Sequence, residues 1–88
     1  GMFALVNDVS PYAREICPRL SVDAVVDVGP YDEGRLFQSI PTTVEIECGY
    51  QGSQQAADNA FQVAREFLGA TGVLPGERLA PQTDLELF

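Results

Sequence analysis

The stretch SQQAADNAFQVAREFL, residues 53–68, decides the fold because it carries the clearest periodic pattern in the chain. Its apolar residues recur every three or four positions, at Ala56, Ala57, Ala60, Phe61, Ala64, Phe67 and Leu68. This spacing predicts an amphipathic helix that buries one face. The opposite, solvated face comprises Asp58, Asn59, Gln62, Arg65 and Glu66. Ser53 suits the N-cap, and Gly69 suits the left-handed position that ends a helix.

The segment before this helix predicts β-strands. Residues 42–48 alternate with period two, which places Val44, Ile46 and Cys48 on one face of a strand. Residues 22–28 are rich in valine and predict a second, more buried strand. Between them, the turn formers of residues 29–34 allow the chain to return as a strand over residues 35–40.

Both ends of the chain also carry structural signals. Ser10 and Pro11 are a good helix opening, and Ala13 with Ile16 predicts one apolar face of a short helix that ends near Pro18. Residues 3–6 predict a strand ahead of it. At the other end, residues 72–83 contain two glycines and two prolines and predict a loop, whereas residues 84–88 alternate again and predict a last strand.

The predicted order is therefore strand, short helix, strand, strand, long helix, strand. This βαββαβ order is that of the ferredoxin-like fold, an antiparallel sheet with two helices on one face. If residues 3–6 are not a strand, the alternative is a smaller α+β domain that opens with a helix. We expect a single domain over residues 2–88, and Gly1 before Met2 is typical of a residue left by tag removal.

Charge excludes several classes of function. The chain has thirteen acidic residues, five arginines and no lysine, which gives a net charge of −8. Binding to nucleic acid or to an anionic membrane requires clustered cations, so neither partner is expected. No apolar run is long enough to span a membrane, and no basic segment opens a signal peptide. A cytoplasmic location follows as the expectation.

The chain also has no histidine. This excludes the Ser–His and Cys–His couples and the commonest metal ligand. Two cysteines alone do not make a structural zinc site. The composition therefore predicts a non-enzymatic protein without a cofactor.

The residues between the last internal strand and the long helix form the strongest candidate site. Cys48, Gly49, Gly52 and Ser53 place a thiol and two glycines ahead of a helix N-terminus, where backbone N–H groups attract anions and lower a thiol pKa. A small buried core cysteine is the favoured interpretation of Cys48, because the chain offers no base to activate it. For Cys17 and Cys48 together, two free buried thiols are favoured over a disulfide.

Carboxylates provide a second candidate. Asp23 and Asp27 share a face of the valine-rich strand, and Asp32 with Glu33 follows in the turn. Such oxygens suit a hard cation, but the spacing differs from that of a dedicated calcium loop. Turn formation and solubility explain them without a metal, and Glu45 and Glu47 fit a solvated sheet face.

The C-terminal residues carry the one short motif in the chain. Asp84-Leu85-Glu86-Leu87-Phe88 resembles the Gln-Leu-x-Leu-Phe peptide by which bacterial proteins dock into a hydrophobic cleft of the sliding clamp. The resemblance implies that Leu85, Leu87 and Phe88 are apolar anchors, with Asp84 in place of the glutamine. A last strand of the sheet explains the same alternation.

Three functions remain open from these observations. The first is a small domain that acts through self-association, as a dimer, or through a protein partner, using the sheet face that the helices leave open. The second is an acidic, immunity-type inhibitor of a basic target. The third is an enzyme that uses the Cys48 thiol or the Asp23 and Asp27 pair. Because catalytic partners are missing, the first is the prediction.

Overall fold

The computed structural model describes residues 1–6, 10–29 and 43–88. Its helices and strands, in chain order, are β1 (Phe3–Val6), α1 (Pro11–Ile16), β2 (Ala24–Asp27), β3 (Glu45–Glu47), α2 (Gln54–Ala70) and β4 (Glu86–Leu87). Short 3-10 turns lie at Cys17–Arg19 and Pro75–Glu77. The described residues thus form a small α+β fold with two helices and a four-stranded sheet, and the predicted α+β class is confirmed. The strand predicted over residues 35–40, and the turn before it from residue 30 onward, lie outside the described residues.

The ferredoxin-like topology is wrong. The strands lie in the order β3-β1-β2-β4, and the sheet is mixed. β1 is parallel to β2 and antiparallel to β3, and β4 is parallel to β2. In the ferredoxin-like fold another strand separates the first two, so that all neighbours are antiparallel. Here α1 serves as the crossover that brings β1 and β2 directly side by side, a pairing that suits strands as apolar as these.

The first helix forms as its residues predict. Ser10 Oγ accepts a hydrogen bond from the backbone N–H of Ala13 at 3.1 Å, and Pro11 occupies the first helical position. The helix then passes into the 3-10 turn that contains Pro18. Ala13 and Ile16 are buried. The cap and the proline thus define the two ends of α1.

The second helix begins as predicted and ends later. Ser53 Oγ accepts a hydrogen bond from the Ala56 N–H at 3.0 Å, which caps the N-terminus. Gly69 does not end the helix but lies buried in its last turn, where an added Cβ would come within 2.5 Å of the Glu77 backbone. The left-handed position is Gly72, with φ of +88°. Gly69 is therefore needed for a close approach of two backbones.

Both helices pack on the same face of the sheet. Ala4, Val6 and Val25 project from that face into one core, which the helices and the 3-10 turn at Cys17–Arg19 complete. The buried members of this core are Met2, Ala4, Val6, Ala13, Ile16, Cys17, Leu20, Val22, Val25, Val63 and Ala70. No helix among the described residues is both long and apolar enough to cross a membrane.

The predicted buried face of α2 is wrong. The residues that this helix buries are Val63, Glu66, Gly69 and Ala70. Most of the apolar residues that define the periodic pattern face outward instead, nearly half a turn away from these buried residues. We call this exposed row the outer stripe: Ala57, Ala60, Phe61, Ala64 and Leu68. The pattern identifies the apolar side of the helix, but the sheet covers only its edge, where Ala56 and Phe67 are half-buried.

Candidate functional site

Among the residues that the structure describes, the outer stripe is the clearest departure from the usual burial of apolar side chains. It runs along more than three turns of α2, from Ala57 to Leu68. Phe61 at its centre is 67% exposed, and Leu68 is 37% exposed. The Arg65 guanidinium lies over the Phe61 ring, 5.8 Å from its centroid, and Arg65 also forms an ion pair with Glu77. A contiguous exposed apolar row of this kind marks an interaction surface.

An open groove adjoins the outer stripe. It has a volume of about 320 Å³ and lies between α2 and β3. Its lining is almost entirely apolar, and Ala64 and Leu68 belong to both the groove and the stripe. Val44 and Ile46, which the alternating pattern assigns to one face, line the opposite wall. The groove therefore extends the apolar surface from the helix towards the edge of the sheet.

The second face of the sheet carries a smaller apolar area. Phe3 is 39% exposed and Phe88 is 67% exposed, and both border an open pocket with Ala24 and Val26. Glu86 alternates with the core-facing residues of its strand and belongs to this second face. The self-association predicted from the apolar character of residues 22–28 would use this face, and it stays a prediction.

The predicted thiol and anion loop lies between β3 and α2. Gly49 and Gly52 have φ of +133° and +80°, so each takes a backbone conformation that favours glycine. The Ser53 hydroxyl caps the helix and donates to Tyr50 O at 2.8 Å. Burial, followed by the charge of Glu47, raises the pKa of Cys48. This shift opposes the lowered pKa that an activated thiol needs.

Both cysteines are free in the structure. Cys17 is buried in the core, and burial raises its pKa to about 11. Cys48 is half-buried, and its Sγ lies 3.8 Å from Ile46 O. The favoured prediction of two unpaired thiols is confirmed, although only Cys17 is fully inside.

Of the candidate carboxylate cluster, the structure describes only Asp23 and Asp27. Asp23 and Asp27 are both exposed, and Asp27 Oδ1 accepts a hydrogen bond from the Gly29 N–H at 2.8 Å. Within residues 1–6, 10–29 and 43–88, no three metal-ligating side chains come together. Asp32 and Glu33 lie outside the described residues. The acidic side chains of β2 therefore act as turn and surface groups here.

The C-terminal segment is part of the sheet. β4 pairs with β2, and backbone bonds of 2.8 Å join Phe88 N to Val25 O and Asp27 N to Phe88 O. Leu85 packs half-buried against the core, whereas Leu87 and Phe88 are 57% and 67% exposed. The alternation of these residues thus serves a last strand. Docking of Leu85, Leu87 and Phe88 to a partner would require this strand to detach.

Sequence reasoning missed one buried polar contact. Glu66 is only 6% exposed, although the helical pattern places it on the solvated side. Its carboxylate accepts hydrogen bonds from Ser21 N at 2.7 Å, Ser21 Oγ at 2.6 Å and Gln62 Nε2 at 2.9 Å. It thereby fixes α2 to the residues that lead into β2. Its partner Ser21 lies 45 positions away in the chain, so no local sequence pattern predicts the contact.

Comparison with protein families, with characterised proteins and with solved structures finds no similar protein. Of the surfaces described, the outer stripe and the groove beside it form the strongest candidate site.

Proposed function

We propose that this chain is a small, non-enzymatic interaction domain that acts through self-association. The observation that carries the proposal is the outward orientation of the outer stripe, whose apolar residues define α2 yet contribute little to the core. Leaving so much apolar surface in water is unfavourable, because burial is worth about 25 cal/mol per Å². Association of the stripe with another protein surface recovers this free energy.

The chemistry of the other candidate sites supports the same proposal. The Cys48 thiol is shifted towards its protonated form, and the described carboxylates do not converge. The predicted thiol or carboxylate enzyme thus gains no support from the described residues. The acidic inhibitor also gains none, because no feature of the described surface favours a basic target over the stripe.

Light scattering coupled to gel filtration tests self-association. We expect the mass to rise from monomer towards dimer between about 5 and 500 µM, the range over which a weak dimer changes its population. Phe61→Asp should keep the chain monomeric, whereas Gln55→Asp, which adds the same charge to an exposed part of the same helix, should leave association unchanged. A wild-type chain that stays monomeric throughout this range contradicts the proposal.

The same measurement separates the two apolar surfaces. If association survives Phe61→Asp but is lost in Phe88→Asp, the open face of the sheet is the interface rather than the outer stripe. Circular dichroism of each variant shows whether the fold is retained.

A further inference from the structure

The outer stripe alternates small and large residues along the helix. Ala57 and Ala64 lie in line with Phe61 and Leu68, since residues three, four and seven apart share a helix face. Small positions let another helix approach closely, and large ones fill the spaces between its side chains. The stripe therefore has the alternating small and large side chains of a helix-packing surface. The surface that fits it best places large side chains opposite its small ones and small side chains opposite its large ones.

The stripe itself provides such a surface. When a second α2 is placed antiparallel, with the two-fold axis between positions 62 and 63, Phe61 of one copy faces Ala64 of the other. Leu68 of one copy then faces Ala57 of the other. Each large side chain meets a small one, and both pairs occur twice because a two-fold interface is isologous. Such a pairing fills space without leaving voids or forcing overlaps.

The charged residues beside the stripe favour the same arrangement. Asp58 and Arg65 flank one side of it, and both side chains are exposed. In the antiparallel pair, Arg65 of one copy comes opposite Ala60 of the other, two positions from Asp58 and within reach of its carboxylate. In a parallel two-fold pair the same flank of the two helices lies on opposite sides of the contact, so Asp58 and Arg65 of one copy would meet neither Asp58 nor Arg65 of the other. Complementary charges thus select the antiparallel orientation.

The available area is that of a modest dimer. An aromatic side chain carries about 150–250 Å², so Phe61 at 67% exposure offers roughly 100–170 Å². With the rest of the stripe and its charged flank, the pair buries on the order of 1,000 Å² in total, at the low end of specific interfaces. A second copy therefore supplies enough surface without an additional contact.

We infer that the outer stripe binds a second copy of this chain through an antiparallel α2–α2 contact in which Phe61 packs on Ala64 and Leu68 on Ala57 of the partner. The inference rests on the proposed self-association and adds its geometry. Asp58 and Arg65 provide two intermolecular ion pairs at the edge of the contact.

Disulfide trapping tests the register. Two variants are prepared in a Cys48→Ser background, one with Ala57→Cys and one with Leu68→Cys, and one of them is labelled with ¹⁵N. Mixed under mild oxidation, they should form a covalent heterodimer, identified by its mass. Each variant alone should not, because identical positions are eleven residues apart along the axis, about 16 Å, beyond the reach of a disulfide. A mixture of Gln55→Cys and Leu68→Cys is the matched control.

A charge exchange provides a second, independent measurement. Asp58→Arg and Arg65→Asp should each weaken dimerisation about tenfold, because two attractive pairs become two repulsive pairs. The double variant should restore it. In a parallel dimer Asp58 and Arg65 do not meet across the contact, so each single exchange should change dimerisation little.

The possible outcomes separate the geometry from the proposed function. A heterodimer in the mixture alone, together with rescue by the double variant, supports the antiparallel contact. A wild-type dimer without mixed cross-links or charge rescue overturns the contact and leaves self-association standing. Equal cross-linking of Ala57→Cys with itself indicates a parallel pair and overturns it too. A monomeric wild-type chain at about 500 µM overturns both.

Discussion

Replacing Glu66 with alanine should destabilise the domain strongly, although glutamate on a surface helix is usually replaceable. The carboxylate is buried and accepts three hydrogen bonds, two of them from Ser21. Removing it leaves the N–H and the hydroxyl of Ser21 without their acceptor. It also opens space between α2 and the residues that enter β2.

The magnitude follows from these contacts. A hydrogen bond to a charged group contributes about 1.5–3 kcal/mol. The three bonds share one carboxylate, and Ser21 is only half-buried, so water replaces part of what is lost. We therefore expect Glu66→Ala to lower the free energy of unfolding by about 2–4 kcal/mol. A domain of this length has a total of about 4–13 kcal/mol, so the variant is close to unfolding.

Urea denaturation followed by circular dichroism at one fixed protein concentration measures the effect. Glu66→Gln keeps one acceptor oxygen for Ser21 and should lose about 1 kcal/mol. Gln55→Ala, on an exposed part of the same helix, should stay within about 0.5 kcal/mol of wild type. If the unfolding free energy of Glu66→Ala also stays within about 0.5 kcal/mol of wild type, the Glu66 carboxylate does not hold α2 in place.

Three further predictions concern the core, the thiols and the last strand. Leu20→Ala should lower the free energy of unfolding by about 2–5 kcal/mol, because Leu20 is among the largest fully buried side chains. Urea denaturation measures this loss, and a value below about 1 kcal/mol would show that the core around Leu20 is not tightly packed. Cys17, with its pKa raised to about 11, should react with a thiol reagent at neutral pH only after unfolding. A raised folded pKa favours the protonated form, so the free energy of unfolding should fall as pH rises from about 9 to about 11. Stability measurements across this pH range should show a smaller slope for Cys17→Ala, with the raised pKa of Cys48 contributing the remainder. Ending the chain at Leu85 removes β4 and the bond from Asp27 N to Phe88 O, so hydrogen exchange of the Asp27 amide should accelerate; unchanged protection would contradict the pairing.

Local signals in the sequence predict the local structure well. Ser10 and Ser53 are N-caps because a serine before a helix accepts the orphan N–H three residues on, an interaction that needs no distant partner. The four strands that the structure describes also lie within predicted strands, two of them predicted from period-two alternation, at residues 42–48 and 84–88, and the one at residues 22–28 from its valine content.

The pairing of these strands depends on contacts between distant residues and could not be derived in the same way. The choice between a β1–β2 pair and a ferredoxin-like separation is made by how α1 packs, which periodicity does not encode. The prediction of which face of α2 is buried was wrong for a related reason. The core covers the side of the helix that carries Val63 and Ala70, and Glu66 lies inward on that side because Ser21 supplies its partners. Buried polar contacts of this kind appear only when distant residues meet.

The position of β1 at the centre of the sheet has a consequence for how the chain acquires its structure. β1 leaves the ribosome before the strands that flank it, β2 and β3, which begin at residues 24 and 45. During synthesis its apolar residues stay exposed until these later strands are made, and the edge strand β4 comes last, from residues 86–87. Such long-range pairing slows folding and prolongs exposure of unpaired strand edges. The nascent chain is therefore expected to pass through its most aggregation-prone stage before α2 is complete.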